Sequence, residues 1–90
     1  MSSLSTWKKI RKDILAEIQS YDKKIDKAKE SIAKYKRTLK EAAGEPLRVR
    51  AITHLMSDEE KYVLQPLKDS KKRAEEALKR AEKTIKDLKG

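Results

Sequence analysis

His54 is the only histidine in the chain and no cysteine accompanies it, so acid–base, nucleophilic and thiolate–metal chemistry have almost nothing to work with. No Ser, Asp or Lys stands at a spacing that would assemble a triad around it. A metal site would need carboxylates alone. Asp22, Asp26 and Glu30 do recur at i+4, but Lys23, Lys24, Lys27 and Lys29 are interleaved with them, which makes a solvated salt-bridge face of that segment. The two glycines, Gly44 and Gly90, form no phosphate-cradling loop. The expectation is therefore a non-catalytic protein with no metal, no cofactor and no small-molecule substrate.

The chemistry that remains is charge. Lys and Arg number 24 against 15 Asp and Glu, a net charge of +9, and surfaces of that sign meet the phosphates of nucleic acids or anionic lipids. Three of the six arginines, Arg37, Arg48 and Arg50, cluster with Lys34, Lys36 and Lys40 in one region. These six are the candidate contacts to a DNA or RNA backbone. Most of the other bases are Lys, a strongly hydrated point charge that also serves merely to solubilise a helical surface.

The scaffold that carries this charge is 90 residues long and 43 % charged, with nine Leu, seven Ile, two Val and no Phe. So few strong core formers must be placed efficiently for any fold to result, and a rounded domain with a deep cleft is not expected at this size. Leu4, Trp7, Ile14, Ile18, Tyr21, Ile25, Ala28, Ile32, Tyr35, Leu39 and Ala42 follow alternating steps of three and four, interrupted only by Arg11. That is a heptad seam and predicts one helix over residues 4–42, roughly 58 Å long and too long to stand alone. Gly44 and Pro46 then mark a turn at 43–46, glycine just past a helix end and proline at the start of the next.

Leu47, Ala51, Ile52, Leu55 and Met56 are helically spaced, and Leu64, Leu67, Ala74, Leu78, Ala81, Ile85 and Leu88 resume the three–four alternation with Lys71 on the seam. Ser57 to Glu60 reads as a capping box, and Pro66 removes a backbone hydrogen bond to the Tyr62 carbonyl. A second helix over 46–89, broken or kinked within 57–66, follows. The two helices are nearly equal in length, so the all-α chain is expected to be a single domain, a long antiparallel hairpin; a three-helix bundle from 4–42, 46–56 and 58–89 is the alternative.

Trp7, Ile10, Ile14, Leu15 and Ile18 spread over roughly 140° of the helical wheel, wider than a two-helix seam needs. Across the hairpin lies an Ala-rich strip, Ala74, Ala77 and Ala81, too small to bury all of them. These five residues are therefore the candidate docking face, for a second copy that completes a four-helix bundle or for a partner protein's helix. Tyr21 and Tyr35 fall on the seam, and Tyr62 is the one aromatic with a claim to solvent. In the hairpin the two chain ends form a basic pole, the turn forms a second, and the shaft between is nearly neutral.

Three functional readings result, in descending order: a helical interaction or assembly protein, a backbone-binding nucleic-acid protein, and a peripheral membrane contact by Trp7, Lys8, Lys9, Ile10 and Lys12. No apolar run exceeds three residues, Tyr62-Val63-Leu64 being one such run, and the start lacks a leader-like apolar stretch, so a cytoplasmic chain is expected, with leaderless export left open.

Overall fold

The computed structural model describes residues 3–90. Helix α1, Ser3–Glu41, leads through a turn into α2, Pro46–Glu59, which continues without a break through a π-helical segment, Glu60–Leu64, into α3, Gln65–Lys89. Among the described residues there is no strand. The molecule measures 67 × 17 × 15 Å. Its radius of gyration is 19.8 Å, where a globular chain of this length would have about 12 Å. The elongated shape is that of a helical hairpin: α1 touches α2, the π segment and α3, whereas α2 and α3 do not touch each other.

The turn is built as its residues require. The amides of Ala42 and Ala43 donate to the Thr38 and Lys40 carbonyls at 2.9 and 3.4 Å, satisfying two of the last carbonyls of α1, and the Glu45 amide donates to the Ala42 carbonyl at 2.9 Å as the chain reverses. Gly44 sits at φ +96°, a left-handed conformation that a side chain would strain, and Pro46 occupies the first turn of α2, where its missing N–H is not needed. Ala42 is fully buried under the reversal.

The return arm differs from expectation at its middle. No helix starts at Ser57: the Glu60 amide already donates to the Met56 carbonyl, so no unpaired amide is left for a capping box, and Glu59, Glu60, Leu64 and Gln65 all keep right-handed helical dihedrals. Instead of a break, the helix widens. The Gln65 amide reaches the Glu60 carbonyl five residues back, immediately before Pro66, which has no amide to offer.

This single wide turn reconciles two apolar registers. Val49, Ile52, Met56 and Glu59 face α1 at steps of three and four, and so do Leu64, Leu67, Lys71, Ala74, Leu78, Ala81 and Ile85, all buried or half-buried. The step from Glu59 to Leu64 is five. An α-helical step of four would have turned Val63 inward and rotated everything after it by about 100°; with the π turn Val63 remains 40 % exposed and Leu64 takes the seam.

The core is a strip one layer deep. Ile25, Ala28, Ile32, Ala42, Ile52, Ala74, Ala81 and Ile85 are its buried members, and among the described residues no large side chain is completely enclosed. Leu47 and Leu55, grouped with the apolar positions by spacing, lie outside it at 84 % and 53 % exposed. Among the described residues no helix is long and apolar enough to cross a membrane.

Candidate interaction surfaces

At the open end of the hairpin, the seam takes up most of the expected docking face. Trp7, Ile10, Ile14 and Ile18 are half-buried, and Leu15 is exposed. Leu15 follows Ile14 by one residue, a rotation of about 100° that carries it out of the seam. The return-arm seam there alternates Ala74 and Ala81, buried but small, with half-buried Leu78 and buried Ile85, and this single layer covers the larger residues of α1 only in part.

A second apolar surface lies nearer the middle of the rod. An open groove of about 480 Å³ runs between the arms, with Lys24, Lys27, Ala28 and Ser31 of α1 on one side and Glu59, Tyr62, Val63, Pro66, Leu67 and Ser70 on the other. Tyr62 stands 73 % exposed at its edge. On the helical wheel Leu55 and Ala51 continue the same flank of α2 toward the turn. Sequence reasoning did not single out this groove as a site. The signal was present in the apolar residues of 47–63 that do not fit the heptad phase, but their facing depends on the π turn.

The basic residues of the turn region, Lys34, Lys36, Arg37, Lys40, Arg48 and Arg50, are all exposed. They do not form one plane. By helical rotation Lys36, Lys40 and Arg50 share the flank opposite the groove, Lys34 and Arg48 lie on the groove side, and Arg37 points away from the hairpin. Arg48 is partly neutralised, its Nη1 donating to Glu45 Oε2 at 3.2 Å. A shallow hollow of about 350 Å³ formed by Arg50, Thr53, His54 and Ser57 adjoins the Lys36 flank.

The acidic line Asp22, Asp26 and Glu30 is not drawn together: among the described residues no group of three or more His, Cys, Asp or Glu is placed to hold a metal ion. Asp22 instead accepts from Lys71 across the seam. Arg11, the other basic residue on the seam, is half-buried. Tyr21 is half-buried as well and its hydroxyl donates to Glu17 Oε1 at 3.0 Å, a bond that holds its pKa above the usual phenol value.

Comparison of the chain with protein-family models, with curated proteins and with solved structures finds no match to any of them.

Proposed function

We propose that this chain is a non-catalytic helical interaction or assembly protein that works by coiled-coil association, with a second copy of itself or with a helix of another protein. One observation carries the reading. The chain has few apolar residues for even this thin core, yet Leu15, Leu47, Leu55, Tyr62, Val63 and Leu88 remain exposed. Single exposed apolar side chains are ordinary, whereas adjacent exposed Tyr62 and Val63 lining one groove, on a chain with so few apolar residues, favour an interface.

The two surfaces available are the half-covered end of Trp7, Ile10, Ile14, Leu15 and Ile18 and the groove at Tyr62 and Val63. The experiment is association in both senses: sedimentation of the full chain across a range of concentrations, and retention of proteins from an extract of its source cells on the immobilised chain. The reading requires either self-association or a retained partner, reduced by substitutions on one of the two apolar surfaces. A monomer that retains nothing refutes it.

The exposure of all six basic residues around the turn supports a second reading, attachment to a nucleic-acid phosphate backbone. Such binding weakens steeply with salt, and removing Lys36, Lys40 and Arg50, which share a flank, would reduce the salt slope by about 3. Absence of binding to DNA and RNA at low salt refutes this second reading.

A further inference from the structure

We propose that the groove at Tyr62 and Val63 seats a helix of another protein, apolar along one edge and acidic along the flank that turns toward α1. The proposal rests on the association reading above and gives it a surface and a class of partner.

The two sides of the groove differ in kind. The return arm supplies an apolar side: Tyr62 and Val63 are exposed, Pro66 and Leu67 continue them, and Leu55 extends the strip toward the turn. Helix α1 supplies a basic side. Lys24 and Lys27 line the groove, and by helical rotation Lys34 continues their row on the same flank; all three are exposed. The acids of that stretch do not share the flank, since Asp22 and Asp26 fall on the opposite one and Glu30 at the back of the helix.

The two sides also match in level. The arms run antiparallel and Lys71 pairs with Asp22, so Lys24 and Lys27 lie beside residues 62–67. Counting from the turn at Gly44, Lys34 lies beside Leu55. Each lysine of the row therefore has an apolar neighbour across the groove. Glu59, the acid of the lining, is half-buried and level with Ser31, in the gap between Lys27 and Lys34. From Lys24 to Lys34 the row runs roughly 15 Å, about three turns of a docked helix.

Charge decides between a foreign helix and a second copy. A row of lysines calls for acids opposite it. The helices of this chain are poorly suited to supply them: α1 carries twelve bases against six acids, α3 nine against five, and α2 two of each. Two copies at +9 also repel each other. A helix with aspartates or glutamates beside an apolar edge meets both sides of the groove at once, lying along the two arms as a third member of a bundle.

The test is selection from a displayed library of four-turn helical peptides with a fixed apolar edge and randomised flanks. It is run on the immobilised full chain and on variants whose helicity matches wild type by circular dichroism. Wild type should enrich peptides with an acidic flank, and the best of these, measured by fluorescence anisotropy, should bind Tyr62→Ser about tenfold more weakly. The variant Lys24→Glu with Lys27→Glu should reverse the selection to basic flanks. The variant Lys36→Glu with Lys40→Glu, which changes net charge equally on the opposite flank, should leave it acidic. No enrichment, the same flank charge selected by wild type and by Lys24→Glu with Lys27→Glu, or binding unaffected by Tyr62→Ser would each overturn the proposal. So would a wild-type dimer in sedimentation equilibrium that Tyr62→Ser dissociates, which would give the groove to a second copy and leave the association reading standing. The association reading itself falls only with a monomer that retains no protein from an extract.

Discussion

The Lys71 ammonium donates to Asp22 Oδ1 at 2.6 Å and, among the described residues, is the one ion pair that joins the two arms of the hairpin. Lys71 occupies a seam position between Leu67 and Ala74 where an apolar residue would ordinarily sit, and it is only half-buried, so its stem covers the seam while its amine reaches the edge. A polar residue at a seam position favours one register over its neighbours, because sliding the arms by a heptad would part it from its acceptor. The bond to Asp22 raises the Lys71 pKa above its ordinary 10.5; burial opposes the shift, and the charges of Asp22, Glu75 and Asp26 add to it.

The pH dependence of that pair has a definite sign. A lysine whose pKa is higher in the folded state stabilises the fold fully below its unfolded value, and the contribution disappears as pH rises through the folded value. Asp22→Asn should therefore lower the urea midpoint at pH 7–9, modestly, as expected for a largely solvated pair. The gap between variant and wild type should close in the alkaline range above the ordinary lysine pKa. A gap that stays constant through that range would show that the carboxylate acts by something other than charge.

The π turn gives a sharper prediction, because it absorbs one surplus residue between two registers. Deleting Val63 shortens the step from Glu59 to Leu64 to four, which an ordinary α-helix spans, with both halves still facing α1. That variant should keep its helicity and melt no lower than wild type. Deleting Ala77, inside α3, should instead rotate Ala81 and Ile85 off the seam and cost about 3 kcal/mol, similar to truncating a large core side chain. Comparable losses from the two deletions, measured by urea unfolding, would rule out a register role for the wide turn.

What could be read in advance follows from how locally each feature is determined. The seam of α1 is legible residue by residue from Ile14 to Leu39, because one uninterrupted period places every member, and Gly44 with Pro46 marks the reversal by backbone chemistry alone. The return arm is harder. Ser57 to Glu60 has the residue types of a cap, but a cap forms only where amides are unpaired, and here the helix had already paired them. Leu47 and Leu55 have helical spacing without facing the partner, since spacing gives a stripe and not its direction. The groove at Tyr62 depended on the phase of the arm on both sides of a π turn, and no residue type announces that turn except Pro66, which equally suits a kink.

Gly44 offers a test confined to the reversal. A Cβ at this position would meet nothing within 4 Å, so a substitution is penalised by the left-handed φ of +96° and not by crowding. Gly44→Ala should destabilise the protein by about 1–2 kcal/mol, and Gly44→Asn, which tolerates that conformation better, by less. Equal effects from both, by thermal unfolding, would mean that the turn rearranges to a different conformation.

The thinness of the core predicts an uneven response to truncation. Ile32 is 6 % exposed and Leu47 84 % exposed, although both belong to helical apolar patterns. Ile32→Ala removes buried methyl groups from a strip with no second layer behind it and should cost about 2–5 kcal/mol, toward the low end because solvent can enter from either flank and leave no sealed cavity. Leu47→Ala removes atoms that water already reaches and should lie within about 0.5 kcal/mol of wild type. Urea unfolding at a concentration where the chain is monomeric isolates the intramolecular effect. Repeating it at high concentration adds whatever association contributes, because binding that favours the folded state raises apparent stability by mass action. A Leu47→Ala loss that is absent at low concentration and appears at high concentration would place that side chain in an interface between molecules.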